Sequence, residues 1–292
     1  MSMKRVALFV DEPDWHSRRL MSALTALGLD PVVCSLRDCA FHLGEGGSGI
    51  VIPGFAGELP DAVLVRGIAA GSFEQVTLRL GLLHALAAAG VPVINDALAI
   101  ERCVDKSTTS FLLHRGGVPT PPTFVTENDV AAERWRGAWG DDLVAKPLFG
   151  AQGRGLLRLA ASDALPPAST HAGVRYLQRF VGRDGDWSDF RVMVVGGEPV
   201  AAMIRRALSW ITNVRRGGRC EAIDVSERLG ALSVAAAAAV GADYAGVDLI
   251  EDGDGTLQVL EVNSMPAWKG LQSVAKCDLA ARLAAHVRDR LA

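Results

Sequence analysis

The sequence predicts a mixed α/β and α+β fold, and three observations carry this prediction. From residue 4 to about 96, short β-type runs alternate with helical runs, which is typical of βαβ units around a parallel sheet. Three prolines, Pro119, Pro121 and Pro122, then end the helical pattern, and the segments that follow are shorter and richer in β-type residues. Further on, the pair Gly196-Gly197 separates two β-rich arms and predicts an antiparallel hairpin.

Strands and helices alternate regularly in the N-terminal third. We expect strands over residues 5–10, 31–35, 62–66 and 91–95, and helices over residues 17–27 and 73–89. The glycine-rich stretch from Gly44 to Gly57 is expected to be a loop with one short strand inside. A further helical stretch begins at Asp96 and ends near Gly116-Gly117, so a domain boundary is expected close to residues 96–105.

The remaining two thirds are expected to be richer in strands. The central elements are predicted to be strands at 123–126, 143–147 and 156–159 and a helix at 128–139. A polar segment at 183–188 predicts a second boundary, followed by the hairpin at 189–206. The last predicted elements are a helix at 226–240, strands at 244–250 and 257–263, and a helix at 279–291.

Charge and cysteine content disfavour several classes of protein. The 30 Lys and Arg residues against 33 Asp and Glu give a formal net charge of −3, so no global basic field would draw the chain to nucleic acid or an anionic membrane. The 5 cysteines include no Cys-x-x-Cys pair, which disfavours a disulfide framework and a structural zinc site. The apolar runs at 6–10 and 232–242 are too short for a signal sequence and a membrane helix, respectively. We therefore expect a cytoplasmic protein with neither nucleic acid nor membrane as a partner.

A predicted hairpin near the C-terminus brings oxygen ligands together. If Asp254-Gly255 forms the centre of a two-residue type I′ turn, counting outwards places Asp248 directly opposite Glu261. Glu261 and Asn263 are two residues apart on one strand, so all three side chains share a face that suits Mg²⁺. The opposite face is expected to hold Val247, Leu249, Leu260 and Val262. The alternative is a solvated strand face without a ligand.

A glycine-rich loop follows the predicted strand that ends at Lys146-Pro147. Its glycines, Gly150, Gly153 and Gly155, reverse the spacing of the dinucleotide fingerprint, and a strand follows instead of a helix, so a Rossmann loop is disfavoured. Such a loop between two strands can fold over phosphate with its backbone N–H groups, while Lys146 supplies a point charge. An ordinary flexible hairpin loop is the alternative.

Further basic residues stand out along the chain. Lys106 follows Asp105 on a predicted helix, where a solvated surface lysine is the alternative. An arginine set falls within residues 191–216 and contains Arg191, Arg205, Arg206, Arg215 and Arg216. Their planar guanidinium groups favour carboxylate or phosphate oxygens, with a solvated basic face as the alternative.

Taken together, these segments resemble the ATP-grasp superfamily, in particular its branch of RimK-like glutamate ligases. The similarity spans roughly residues 90–270 and keeps both order and spacing. It rests on Val93-Ile94-Asn95, Ala99-Ile100, Asp105-Lys106, Pro119, Val144 to Pro147 with the glycine loop, Leu177 to Val181, Asp189-Phe190-Arg191, Asn213 with Arg216-Gly217-Gly218, Gly246-Val247-Asp248 and Glu261-Val262-Asn263. The family often has an acidic residue where this chain has Arg179.

The resemblance implies an ATP-grasp fold of three domains. These are an N-terminal Rossmann-like αβ domain over residues 1–98, a small central lid domain over 99–184 and a C-terminal antiparallel-sheet domain over 185–292. It implies that the nucleotide is contacted by Lys106, Lys146, Asp189, Asn213 and the loop glycines Gly150, Gly153 and Gly155. It also implies an adenine-binding linker made of Gln178, Arg179, Phe180 and Val181. It also implies that Mg²⁺, with Mn²⁺ as an alternative, is held by Asp248, Glu261 and Asn263.

The implied activity is ATP-dependent amide bond formation by a carboxylate–amine ligase. A carboxylate attacks the γ-phosphate of ATP, and an amine then displaces phosphate from the acylphosphate; Arg205 and Arg216 are the candidates to stabilise these species. The expected partners are ATP, glutamate or a similar amino acid, and an acidic small molecule, cofactor precursor or peptide. The sequence leaves the choice between a monomer and a homo-oligomer open. One alternative is a ligase for another amino acid or amine, such as a pterin–glutamate or amine–glutamate ligase in one-carbon cofactor synthesis. Another is a regulatory protein that binds ATP without turnover.

Overall fold

The N-terminal region forms a parallel sheet, as predicted. A computed structural model describes residues 3–44, 47–150, 152–182, 185 and 187–291. Its first elements are β1 (Arg5–Phe9), α1 (Trp15–Ala26), β2 (Asp30–Cys34), β3 (Ala40–Phe41), β4 (Ile50–Val51), β5 (Ala62–Val65), α2 (Phe73–Ala88) and β6 (Val93–Ile94). Four of these strands pair in parallel in the order β2-β1-β5-β6, whereas β3 and β4 form a small antiparallel pair.

Two short helices connect this sheet to the rest of the chain. They are α3 (Ala97–Val104) and α4 (Lys106–Arg115), and Asp105 lies between them as the C-cap of one and the N-cap of the other. The Asp105 carboxylate accepts hydrogen bonds from Ser107 N at 2.8 Å and from Thr108 Oγ1 at 2.6 Å, which fixes the start of α4. Lys106 is therefore held at the first residue of a capped helix.

The central region is a small antiparallel sheet with one helix. It contains β7 (Thr123–Thr126), α5 (Asp129–Trp139), β8 (Leu143–Lys146), β9 (Leu157–Leu159) and β10 (Arg175–Arg179), with strand order β7-β10-β8-β9. Its own core contains Ala132, Leu143, Ala145, Leu159 and Leu177. Strand β10 lies in the middle of the sheet and is absent from the elements that strand patterns predict.

The C-terminal region is a five-stranded antiparallel sheet flanked by helices. Its elements are β11 (Trp187–Val195), β12 (Glu198–Ala207), β13 (Arg219–Ile223), α6 (Glu227–Val240), β14 (Tyr244–Glu251), β15 (Leu257–Asn263), α7 (Lys269–Gln272) and α8 (Leu279–Asp289), with strand order β13-β12-β11-β14-β15. The predicted hairpin around Gly196-Gly197 is confirmed, because β11 and β12 pair on either side of it.

The two faces of this sheet have different environments. One face packs its apolar residues, among them Val192, Val247 and Val262, into a core that also contains residues of α3, α4 and α6. The other face is apolar near the Gly196-Gly197 turn, where Met203 joins a core shared with β1, β5 and α8. Its remaining part is polar and is not covered by this core. One apolar core contains residues of both the N- and the C-terminal sheets, so packing does not mark a limit between them. The predicted domain limits therefore stay a prediction.

Among the helices that the structure describes, none combines the length and the apolar character needed to cross a bilayer.

Candidate active site

A cleft of about 640 Å³ is lined by residues of both the central and the C-terminal sheets. Most of the predicted site residues line it, so they belong to one site: Lys106, Lys146, Gly150, Gly153, Gln178, Arg179, Phe180, Val181, Asp189, Arg205, Asn213, Asp248 and Glu261. Gly155, Arg216 and Asn263 are not part of the lining that the described residues form.

Two neighbouring strands carry the predicted metal ligands. Asp248 on β14 pairs directly with Glu261 on β15, and Gly246 pairs with Asn263, so the predicted pairing is confirmed. Directly paired residues of antiparallel strands share a face, which for Asp248 and Glu261 is the cleft face. The Asn263 amide nitrogen donates to the Gly246 carbonyl at 3.3 Å. The amide oxygen is therefore the Asn263 atom left for a ligand.

The turn between these strands is not the predicted one. Asp252 N donates to Thr256 O at 3.0 Å across a loop of three residues, and Gly255, the last of the three, has a φ of +78°. The same Asp252 accepts hydrogen bonds on Oδ1 from Asp254 N at 3.0 Å and Thr256 N at 2.8 Å. A three-residue hairpin loop closed by a left-handed glycine is a common turn, and the prediction of a two-residue type I′ turn is wrong.

A β-bulge then restores the predicted pairing of the acidic residues. Leu249 pairs with Val259 whereas Asp248 pairs with Glu261, so Leu260 is the extra residue of the bulge. Val259 is completely buried and takes the core position that was predicted for Leu260. The expectation that Leu260 faces the core is wrong, because this residue lines the cleft.

Arginines surround the Asp248 carboxylate. Arg191 donates from Nε to Oδ1 and from Nη2 to Oδ2, both at 2.6 Å, and Arg205 Nη2 lies 3.1 Å from Oδ2. Arg205 also donates to both oxygens of Asp189, so its buried guanidinium lies between two buried carboxylates. Burial would raise the pKa of Asp248, but the two arginines outweigh burial and hold this pKa below its usual range.

The donor set fits a hard divalent cation. Asp248, Glu261 and Asn263 all offer oxygen ligands, which Mg²⁺ prefers, and Mg²⁺ usually completes its shell with water and substrate phosphates. No group of three or more His, Cys, Asp or Glu residues suited to a metal occurs in the described part of the chain. The predicted ligands do not form such a group, because the third of them, Asn263, is an amide. The charge of Asp248 is in addition shared with arginines. The metal assignment itself stays a prediction.

Two lysines line the cleft. Lys146, the last residue of β8, donates to Gln178 Oε1 at 2.6 Å. Burial, together with the positive charge of Lys106, lowers the pKa of Lys146 to about 8, although Glu261 partly opposes the shift. Lys106 donates to the Gly150 carbonyl at 2.8 Å. Both ammonium groups thus bind protein oxygens in a place where phosphate oxygens could replace them.

The glycine loop lies between two strands, as predicted, because β8 and β9 pair in antiparallel fashion around it. Gly153 and Gly155 have φ angles of +68° and +71°, which favour glycine. A Cβ atom on Gly153 would lie 2.6 Å from Asn213 Oδ1, so the loop packs closely against the segment of Asn213. Arg216 donates to the Gly153 carbonyl at 3.4 Å and therefore contacts the loop. Ala151 lies outside the described residues.

The predicted adenine-binding linker, Gln178 to Val181, lines the same cleft, and its Gln178 contacts Lys146 there. The Arg179 backbone N–H donates to Pro122 O at 2.9 Å, and its guanidinium pairs with Asp141 at 2.9 Å with both side chains partly exposed. This contact explains how a basic residue is accommodated where the family often has an acidic one.

Two aromatic residues of the cleft, Trp187 and Trp210, were not selected from the sequence. They make edge contacts with the Phe180 ring at centroid distances of 6.0 and 6.1 Å. Trp187 lies two residues from Asp189 on one strand, so the two-residue period of a strand could have placed it beside Asp189. Trp210 lies in a loop, where no periodic signal exists.

Comparisons with known proteins identify the family. The model of the RimK-like ATP-grasp domain matches residues 103–287. The chain is 34% identical over 297 residues to the tetrahydromethanopterin:alpha-L-glutamate ligase of Methanococcus maripaludis, covering 96% of each protein. It is 32% identical over 300 residues to a probable alpha-L-glutamate ligase of Thioalkalivibrio sulfidiphilus, covering 98% of this chain and 95% of the relative. A solved structure of the ATP-grasp ligase PsnB with minimal precursor, Mg and ADP has a TM-score of 0.75 at 25% identity and 98% coverage of both chains. The chain therefore belongs to the RimK-like ATP-grasp family and is an ATP-dependent ligase.

Proposed function

We propose that the protein is a carboxylate–amine ligase that uses ATP and Mg²⁺ to attach L-glutamate to a carboxylate of a small molecule, cofactor precursor or peptide. The observation that carries this proposal is that one cleft combines charged groups with an apolar, aromatic surface. Lys106, Lys146 and the Asp248–Glu261 pair supply the charges, and the linker with its aromatic neighbours supplies the surface. This combination matches ATP, whose base is flat and apolar and whose phosphates carry the charge.

The charged groups of the cleft support phosphoryl transfer. Lys106 and Lys146 would bind phosphate oxygens, and the glycine loop would cover them with backbone N–H groups. Asp248, Glu261 and Asn263 would hold Mg²⁺, which neutralises phosphate charge when it is bound; Mn²⁺ has the same preference for oxygen ligands. The acceptor carboxylate would attack the γ-phosphate and release ADP, leaving an acylphosphate.

The second half of the reaction requires only orientation and charge. The amine of glutamate would attack the acyl carbon, the bond to phosphate would break, and the amine proton would pass to solvent. Arg191 and Arg205 lie beside Asp248, so they are the arginines best placed to stabilise negative charge on the transferred group. Arg216 is further away in this structure, where it contacts the glycine loop.

The relatives favour two kinds of acceptor. Two groups of relatives are both named as glutamate ligases. The name tetrahydromethanopterin:alpha-L-glutamate ligase specifies an acceptor, whereas the name probable alpha-L-glutamate ligase does not. We therefore propose glutamate as the amino acid and a carboxylate-bearing pterin as the second candidate for the acceptor, beside small acids and acidic peptide ends.

An acceptor panel tests this function. Phosphate release would be measured with Mg²⁺, ATP and glutamate, with each acceptor in turn, and the products would be examined by mass spectrometry. Acceptor-dependent release with the mass gain of a glutamyl residue is the expected result. Glu261→Ala should abolish turnover with an unchanged circular dichroism spectrum, whereas Glu198→Ala, an exposed acid at the other end of the same sheet, should leave it unchanged. Nucleotide binding without turnover on any acceptor would instead favour a regulatory protein.

A further inference from the structure

Gln178 is a buried polar residue in the floor of the cleft. It lies on β10 with 1% of its surface exposed. Its Oε1 accepts a hydrogen bond from Lys146 Nζ at 2.6 Å, and its Nε2 donates to Thr123 Oγ1 at 3.0 Å. A buried amide with partners on both ends is fixed in position, so Gln178 offers Lys146 an acceptor that does not move.

The neighbouring hydroxyl groups determine which way the amide points. Thr123 donates its hydroxyl proton to the Pro121 carbonyl at 2.8 Å, so its oxygen can only accept from Gln178. The amide nitrogen must therefore face Thr123, and the amide oxygen must face Lys146. Tyr176, whose hydroxyl pairs with Ser110 at 2.7 Å, completes the wall around the amide.

We infer that Gln178 is a positioning residue for Lys146, which it holds toward the cleft without neutralising the ammonium charge that the nucleotide phosphates require. The inference rests on the proposed ATP site and adds a role that is separate from base recognition by the linker. A carboxylate at this position would bind the same ammonium group as an ion pair and would compete with phosphate for it.

The environment of Lys146 makes this role measurable. The charged or titratable groups that face Lys146 are Lys106, Glu261, Asp248 and Tyr176, and burial is the main cause that brings the pKa of Lys146 down to about 8. Phosphates would raise that pKa again, because an adjacent negative charge favours the protonated amine. Nucleotide binding should then take up a proton near pH 8.

Calorimetric titration with Mg²⁺ and a non-hydrolysable ATP analogue would test this role. In the native protein, affinity should fall about tenfold from pH 7 to pH 9, and binding at pH 8 should take up about half a proton, as linkage to a group that titrates near pH 8 requires. Gln178→Glu should weaken binding at pH 7 by roughly tenfold, which corresponds to the loss of about one charge-assisted hydrogen bond to phosphate. It should also abolish proton uptake at pH 8, since its carboxylate keeps Lys146 protonated.

Further variants separate positioning from a structural effect. Gln75→Glu places the same new charge on the exposed first turn of α2, where a carboxylate can still accept the hydrogen bond from Ser72 N, and should leave affinity and proton uptake unchanged. Thr123→Val adds no charge and removes the shorter of the two hydrogen bonds that Gln178 Nε2 donates, leaving the one to the Tyr176 hydroxyl at 3.4 Å. It should weaken binding while proton uptake remains. The inference is overturned if Gln178→Glu keeps the native affinity, or loses affinity with native proton uptake. Failure of the native protein to bind the analogue would contradict the proposed function itself.

Discussion

Replacing Arg205 by methionine should strongly destabilise the fold, because its buried guanidinium lies between two buried carboxylates. Arg205, Asp189 and Asp248 are only 2%, 4% and 5% exposed. Arg205→Met leaves Asp248 with Arg191 but removes the two hydrogen bonds that Arg205 donates to Asp189. Breaking a buried ion pair by removing one partner costs about 3–5 kcal/mol, and we expect a loss of this size in the free energy of unfolding.

Urea denaturation at pH 7.5 would measure this loss, and the adjacent arginine supplies a matched control. Arg206 pairs with Glu221, and their side chains are 45% and 52% exposed, so Arg206→Met should cost less than about 1 kcal/mol. The double variant Arg205→Met with Asp189→Asn removes both charges and should recover stability relative to Arg205→Met alone.

The pH dependence gives a further check of the same reasoning. In Arg205→Met, the buried Asp189 carboxyl has lost its counter-charge, and burial raises its folded-state pKa above the unfolded value. A group with a raised folded pKa destabilises the fold when it is ionised, so the deficit should be greatest at neutral pH and should shrink as pH falls through that pKa. A deficit below about 1 kcal/mol at pH 7.5, or a double variant no more stable than Arg205→Met, would refute the argument.

Three other changes have expected outcomes. Gly153→Ala should raise KM for ATP about tenfold with little change in Tm, because its Cβ would meet Asn213 at 2.6 Å in a loop that must close over phosphate; an unchanged KM would contradict the loop assignment. Glu261→Gln should lose most Mg²⁺-dependent turnover and need more Mg²⁺ for half-maximal rate, and native Mg²⁺ dependence would exclude Glu261 as a ligand. Asn95→Leu should cost about 2–4 kcal/mol in urea denaturation, because its buried amide makes three hydrogen bonds to Tyr244 and Ser264; a loss below about 1 kcal/mol would show that these bonds do not join the sheets.

Residues on regular strands were the most predictable part of the site. Asp248, Glu261 and Asn263 could be assigned to one face because side-chain direction repeats every two residues along a strand. On the strand of Asp189 the same rule also indicates Trp187, while Arg191 on that strand already belongs to the predicted arginine set. In contrast, the positions of Lys106 and Lys146 relative to this face depend on packing between sheets, which no local pattern encodes, and only the family resemblance linked them.

Three described strands were not predicted: the two-residue β3, and β10 and β13, whose sequences do not look like strands. Strand β10 begins with Arg175, a charged residue that is nevertheless buried because Asp129 accepts from its Nε at 2.7 Å. Strand β13, Arg219–Ile223, is an edge strand whose side chains are largely exposed, so it lacks an apolar alternation. In both cases the conformation depends on pairing with strands that are distant in sequence, and the residues next to each strand in sequence do not indicate that pairing.

The pairing of Asp248 with Glu261 was predicted correctly from a wrong turn, and the reason lies in two opposite shifts of register. The three-residue loop moves the pairing by one residue, which alone would turn Glu261 away from Asp248. The bulge at Leu260 moves it back. Apolar pattern cannot choose between the two solutions, because Val259 and Leu260 are both apolar and either could face the core.

Interactions outside the apolar pattern select the observed solution. Asp252 caps the longer loop through its side chain, and Val259 N donates to Pro119 O at 2.7 Å instead of to β14. The bulge therefore ties β15 to the segment that leads into the central sheet. It also turns Leu260 into the cleft, where an apolar side chain beside Glu261 extends the binding surface. The same extra residue thus keeps the acidic pair aligned, connects the two sheets and shapes the cleft, which a simple two-residue turn would not achieve.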